Sequence, residues 1–286
     1  VSTIEKALAK QQASQATETK KSTKHDESIA SNRPVNNETT ELAQIYIDNK
    51  RLTERGFVCA GGDATHIQEE FRHIKRKLLN NAFGPTAKML NHSNLIMVSS
   101  SNPNEGKTFV SINLALSIAL EQDKTVLLID ADVLRPSLHR ELEFNNDVGL
   151  LDYLRSDISD LSEIIYSTNI SNLKIMPAGG AHHLTNELLA SDRMAQLSKE
   201  LADRYPDRVV IFDCPPLLGV TETPVLANLV GQAVVVVEES KTKIEHIKAA
   251  TSQLNEDLAL GFIMNKTIKT SKDVYGYYGY GYGTKN

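Results

Sequence analysis

The sequence predicts an α/β fold, a mostly parallel sheet with helices on both faces. Short apolar runs without polar interruption, Leu95–Val98, Val126–Ile129, Val209–Phe212 and the QAVVVVEES stretch, have the composition of strands buried on both sides. Between them lie segments with apolar residues at helical spacing, FVSINLALSIAL most clearly. Strands alternating with helices lay the strands parallel and the helices over the sheet.

The stretch LIMVSSSNPNEGKT holds the first strand and the loop after it. That polar loop, carrying Pro103 and Gly106, leads into the helical stretch FVSINLALSIAL. Strand, loop ending in Gly-Lys-Thr, then helix is the context of a phosphate-binding P-loop, which makes the fold class a P-loop NTPase. N–H groups of the loop and the helix N-terminus lack intrahelical partners and face an anion readily. The candidate nucleotide-binding residues are therefore Ser101, Asn102, Pro103, Asn104, Glu105, Gly106, Lys107, Thr108 and Phe109. Lys107 adds a full positive charge, and the Thr108 hydroxyl can ligate Mg²⁺. Ser101 departs from the G-x-x-x-x-G-K-[ST] pattern, which has glycine there; Gly106, beside the lysine, is kept.

Acidic residues end two other strands. Asp130 and Asp132 close KTVLLIDADVLRP and point the same way if the backbone stays extended. Two carboxylates at the C-terminal edge of a parallel sheet, beside a phosphate loop, suit magnesium binding and proton acceptance. Arg135 comes soon after, within reach of a phosphate. Asp213 ends RVVIFD, the place of an acid that holds magnesium through water. Pro215-Pro216 stops that strand.

Composition bounds the rest. The 286 residues carry a formal charge of −5 and 41% apolar residues, a core without the basic excess of a nucleic-acid binder. The 2 cysteines, Cys59 and Cys214, have neither disulfide-framework nor zinc spacing, which points to a reducing cytoplasm. No run reaches the roughly 20 apolar residues of a membrane span, and VSTIEKALAKQQ lacks a signal-peptide core.

In chain order, residues 1–62 read as largely disordered, being rich in Gln, Ser, Thr, Lys and Asn. Two apolar islands, Ile4/Ala7/Leu8 and Leu42/Ile45/Tyr46/Ile47, are either docking segments or stray helical turns. Cys59–Asp63 marks a boundary to a domain over residues 63–268. A helix capped by Asp63 or Thr65 comes next, with Phe71, Ile74, Leu78 and Leu79 inward. Glu69, Arg72 and Lys75 line another side at i+3 spacing, either solvated or a subunit contact. Short helices are expected at 149–155 and 160–166, a strand at Leu173–Met176, and helices at 186–191 and 192–205. His182-His183 reads as surface. Helices around 222–230 and 244–254 flank the QAVVVVEES strand, and a last strand runs from Ala259 to Met264. Residues 269–286 form a glycine-interleaved tail bearing Tyr275, Tyr277, Tyr278, Tyr280 and Tyr282. It is either an adhesive low-complexity segment or a set of phosphate acceptors.

Together EEFRHIKRKLL, SSSNPNEGKT, LLIDADVLRP, RVVIFDCPPLL, GQAVVVVEE and the tyrosine-rich end resemble the bacterial tyrosine kinases. More specifically, they resemble the exosortase-associated tyrosine autokinases of exopolysaccharide gene clusters. The resemblance implies Lys107 and Thr108 as Walker A, Asp130 and Asp132 as Walker A′, and Asp213 as Walker B. Carried over with ATP and Mg²⁺, it makes Lys107, Asp130 and Asp132 catalytic, with Asp130 accepting the phenol proton. Thr108, Asp132 and Asp213 become the magnesium set. Glu69, Arg72 and Lys75 match an E-x-x-R-x-x-R motif for a subunit ring, with lysine in the last place. Asn265 resembles the base-contacting asparagine of related ATPases. A separate membrane chain-length regulator is implied as activator, with the N-terminal islands as candidate contacts. Polysaccharide enzymes are implied as substrates, and the inner face of the membrane as location. The competing readings are a ParA/MinD-type ATPase and a non-catalytic nucleotide-gated assembly module.

Overall fold

A computed structural model describes residues 44–59, 66–145, 147–180 and 185–268. The expectations for Ile4, Ala7, Leu8, Leu42, Asp63, Thr65, His182, His183 and the tail tyrosines Tyr275, Tyr277, Tyr278, Tyr280 and Tyr282 lie outside the described residues.

The strands are β1 (Gln44–Ile45), β2 (Leu95–Ser100), β3 (Thr125–Asp130), β4 (Tyr166–Thr168), β5 (Leu173–Met176), β6 (Arg208–Asp213), β7 (Gln232–Glu238) and β8 (Ala259–Asn265). They form one 8-stranded sheet in the order β1-β4-β5-β3-β6-β2-β7-β8. Every neighbouring pair is parallel except β4 with β5. Every residue of β2 and β6 is buried, as expected for inner strands covered on both faces.

Alternation along each strand sends side chains to two cores. Leu95 and Met97 of β2 join one; Ile96 and Val98 join the other. The second core is closed by α1 (Asn49–Glu54), α2 (His66–Phe83), α3 (Lys107–Ala119) and α4 (Leu138–Leu142), through Leu52, Phe71, Leu114 and Leu138 among others. The first is closed by α5 (Leu150–Leu154), α6 (Thr185–Leu189), α7 (Asp192–Asp203), α8 (Thr223–Ala227) and α9 (Ile244–Thr251). Among the described residues no helix is long and apolar enough to cross a membrane.

The structure departs from the sequence expectations in three places. Residues 44–59, assigned to a disordered region, are part of the folded body. Gln44 and Ile45 pair with Ser167 and Thr168, and Ile47, Leu52, Phe57 and Val58 are buried. Asn169 makes the junction specific, accepting from Ile47 N–H at 2.8 Å and donating to Ile47 O at 3.0 Å. Local composition concealed this, because the strand is two residues long and its partner lies more than a hundred residues away. Next, the helix expected at 160–166 is a 3₁₀ turn at Leu161–Glu163 leading into β4. Antiparallel pairing of Tyr166 and Ser167 with Ile175 and Lys174 overrides the local pattern.

Finally, Glu69 and Arg72 pair in the exposed region of α2 at 2.8 Å, but Lys75 does not line their side. Lys75 is 6% exposed, donates to Ser117 O at 2.7 Å and pairs with Glu121 at 2.6 Å. A buried ammonium at the C-terminal turn of α3 is held by a carbonyl and a carboxylate, which suits a cation at that end of a helix. In this chain the third motif position is an internal strut.

Because Leu52 is 3% exposed within the core, Leu52→Ala should destabilise the chain by about 2–5 kcal/mol. Urea unfolding reads this directly; an unchanged midpoint would mean that the segment is not docked.

Candidate active site

The P-loop leaves the C-terminal end of β2, which lies between β6 and β7 with β3 beyond β6. That is where an open parallel sheet reverses its winding and opens a crevice for ligands. Gly106, at φ 95°, caps α3, and Asn104 also takes a left-handed conformation at φ 66°. Asparagine tolerates that region better than most residues, and glycine without penalty. Ser101 is not among the positive-φ residues, so the glycine of the usual pattern is not required by the backbone there. Ser101 is fully buried, its carbonyl accepting from Leu218 N–H at 3.2 Å.

Lys107 is 9% exposed and its ammonium sits 2.5 Å from Asp132 Oδ2. Burial works to lower its pKa, but the charges of Asp213, Asp132 and Asp130 outweigh burial and hold it above the usual lysine value. Asp130 and Asp213 stand opposite each other in the register of β3 and β6, and both are fully buried. Asp130 Oδ2 accepts from the Ser137 and Leu138 N–H groups, each at 3.0 Å, where α4 begins. Asp213 Oδ1 accepts from Ser111 Oγ at 3.1 Å. The other oxygen of each carboxylate, Asp130 Oδ1 and Asp213 Oδ2, is buried without a described hydrogen bond.

Burial pushes the Asp130 carboxyl up to about 8, with the neighbouring Asp213 charge acting the same way. Burial also raises Asp213, against the pull of Lys107 and of the Thr108 and Ser111 hydroxyls. One lysine among closely placed carboxylates leaves a surplus of buried negative charge. A divalent cation fits such a site, because it neutralises that surplus and takes oxygen ligands. The unpartnered Asp213 oxygen and the Thr108 hydroxyl, which exchanges a 2.7 Å hydrogen bond with Ser137 Oγ, are suitable donors. Among the described residues no group of three or more His, Cys, Asp or Glu forms a metal cage by itself. Mg²⁺ beside a polyphosphate needs none, since phosphate and water supply much of its shell.

The remaining expected residues lie around this centre. Arg135 is exposed at the mouth, its N–H bonded to Asp132 O at 3.0 Å. Phe109 packs its ring on Phe57, centroids 5.1 Å apart. Pro103 and Asn104 are exposed in the loop. Asn102 lies within the loop, bonded to Glu105 and to His246 Nδ1. Asn265 Nδ2 donates to Glu105 O at 2.9 Å, so it touches the loop directly. The sequence reading missed Ser111, Ser137 and Thr242. Ser111 was within reach of it, lying one helical turn after Lys107; Ser137 and Thr242 enter only through long-range contacts.

A profile of the AAA domain family matches residues 93–260. Tyrosine-protein kinase YwqD of Bacillus subtilis is 35% identical over 186 residues, covering 64% of this chain and 77% of YwqD. Tyrosine-protein kinase Wzc of Salmonella typhimurium is 31% identical over 237 residues, covering 82% of this chain but 32% of Wzc. This chain thus corresponds to only part of that longer relative. The kinase domain of Escherichia coli tyrosine kinase ETK aligns with TM-score 0.60 and 25% identity, covering 84% of this chain and 95% of that domain. Pyrococcus horikoshii MinD, solved with Mg-ADP, shares the fold: TM-score 0.52 and 24% identity over 62% of this chain and 72% of MinD. With a family profile over more than half its length and a kinase relative covered over most of its own, the chain belongs to the bacterial tyrosine-protein kinases of the AAA domain family.

Proposed function

We propose that this chain is an ATP-dependent tyrosine autokinase that phosphorylates Tyr275, Tyr277, Tyr278, Tyr280 and Tyr282 on a neighbouring copy. The observation that carries this reading is the buried Lys107–Asp132 pair set beside Asp130 and Asp213 at the start of α3. Lys107 and the N–H groups of the loop would hold the β- and γ-phosphates. Thr108, Asp132 and, through water, Asp213 would hold Mg²⁺. Bound Mg²⁺ supplies the positive charge that offsets negative charge on the transferred group.

In the transfer, the tyrosine oxygen bonds to the γ-phosphorus as the bond to the ADP oxygen breaks. The phenol proton passes to Asp130 Oδ1, the oxygen that no described hydrogen bond engages. Burial holds this carboxyl up to about 8 in the protein alone, and the positive charge of bound Mg²⁺ would favour the ionised form that can take the phenol proton. Asp130 is fully buried and its Oδ2 is held by the turn at Ser137 and Leu138, so transfer would require access for the tyrosine past that turn. Positioning supplies most of the remaining rate.

The roughly 10 residues from Asn265 to Tyr275 reach about 33 Å when extended, enough for the site of an adjoining copy. The exposed Glu69–Arg72 pair supports a ring-like homo-oligomer built on α2, with Lys75 as internal support. Each phosphate adds about −1.5 to −2 charges, so a modified tail is repelled by the carboxylate-rich site and leaves. The wider role rests on the motif resemblance. It is regulation of exopolysaccharide synthesis and export, with a separate membrane chain-length regulator as activator and polysaccharide enzymes as further substrates. The place of action is the cytoplasmic side of the membrane.

Incubation of the purified chain with Mg-ATP, followed by mass spectrometry of the C-terminal peptide, should find phosphotyrosine. ATP consumption without it would instead favour a MinD-type ATPase. Mixing a Lys107→Ala chain with a chain lacking residues 269–286 should place phosphate on the Lys107→Ala partner. An unmodified partner would exclude transfer between copies.

The Asp130 environment also predicts a pH dependence. Its folded pKa, about 8, lies above the unfolded value of 3.8, so the stabilising protonated form is fully present below about pH 4 and lost as pH rises through about 8. Asp130→Asn, which keeps the acceptor for Ser137 and Leu138, should flatten the fall of thermal unfolding midpoint between about pH 4 and 8. The same variant should lose transfer. An unchanged pH profile of stability would mean that Asp130 is ionised throughout.

A further inference from the structure

Glu105 is an acidic residue inside a loop shaped to receive phosphate, and it is 3% exposed. Its carboxylate is fully engaged within the protein. Oε2 accepts from the Asn102 N–H at 2.9 Å, while Oε1 accepts from Asn102 Nδ2 at 2.8 Å and Thr242 Oγ1 at 2.6 Å. Thr242 lies in the turn between β7 and α9, where its hydroxyl also accepts the Glu238 N–H at 2.8 Å. With that bond accepted, its single proton is directed at Glu105.

The main chain of Glu105 is held from another direction. Its carbonyl accepts from Asn265 Nδ2, at the end of β8, and a Cβ built on Gly106 would come within 2.0 Å of the same nitrogen. Thr242 and Asn265 thus grip one loop residue, by side chain and by main chain, from two separate elements. The gripped segment contains Asn104 and Gly106, both in the left-handed region. Adjacent N–H groups aimed at one anion repel each other in its absence, so a loop left to itself would have to be ordered on binding, at a loss of affinity.

We propose that Thr242 and Asn265 are positioning residues for phosphate binding, clamping the loop through Glu105 into its anion-receiving shape. Asn265 then braces the loop in place of contacting the nucleotide base. The inference rests on residues 101–108 being the phosphate cradle, and the test separates the two.

Calorimetric titration of the full chain with MgATP, and separately with inorganic tripolyphosphate plus Mg²⁺, distinguishes the base from the phosphates. Thr242→Val and Asn265→Ala should each weaken both probes alike, by about tenfold for one lost hydrogen bond. Thr242→Ser, which restores the hydroxyl, should regain wild-type binding. In phosphorylation assays the same losses should appear in the KM for ATP with kcat largely retained. The clamp is overturned if Asn265→Ala weakens MgATP but not tripolyphosphate, which would make Asn265 a base contact, or if Thr242→Val binds both probes like wild type. Wild-type chain that binds neither probe would overturn the cradle itself.

Discussion

A lysine ammonium buried at the C-terminal edge of the sheet has to be paired, and that requirement organises the molecule. Lys107 is balanced by Asp132 directly and by Asp213 and Asp130 through their charges. Breaking a buried pair by removing one partner leaves an uncompensated charge, which costs several kcal/mol. For these groups to meet, the ends of β2, β3 and β6 must be neighbours. The order β3-β6-β2 places them so, with Asp130 opposite Asp213 and Val98 opposite Asp213 on the other side. The charge count also gives the site its chemistry. More acid than base is buried, burial holds the Asp130 and Asp213 carboxyls above the usual range, and a divalent cation would relieve the imbalance.

Around this centre runs a layer of contacts that hold its parts from outside. The start of α4 supplies the N–H groups that receive Asp130, and Ser137 there meets Thr108. The other end of that helix is tied to the N-terminal segment: Arg55 pairs with Glu141 and donates to its carbonyl, and Arg51 pairs with Glu143. These are partly exposed ion pairs, each worth little alone. Their placement nonetheless connects residues 44–59 to the element that caps the candidate base. On the opposite side, the ends of β7 and β8 hold the phosphate loop.

Legibility in the sequence followed the range of the interactions concerned. Lys107 and Thr108 were readable from the Gly-Lys-Thr that joins a strand to a helix, and Asp130, Asp132 and Asp213 from their place at or just past the end of an uninterrupted apolar strand, both local patterns with a chemical meaning. The motif lysine, Lys75, was readable as a charge but not as an internal one. Helical spacing places it among charged neighbours, and only the approach of α3 turns it inward to Ser117 O. The short β1 and β4 were unreadable for the same reason: two or three residues hold no period, and pairing alone makes them strands.

What the sequence by itself determined is the α/β class, the phosphate loop in its strand-to-helix setting and the identity of the acids that accompany it. Each comes from the alternation of buried strands and amphipathic helices within windows of about a dozen residues. The tertiary structure decided which groups are charged, paired or free. It set Asp132 against Lys107, left one oxygen each of Asp130 and Asp213 without a partner among the described residues, joined Gln44–Ile45 to the sheet with residues 46–59 packed beside it, and joined Thr242 and Asn265 to the loop. Dielectric surroundings and hydrogen-bond partners come from residues far away along the chain, and a local pattern carries no record of them.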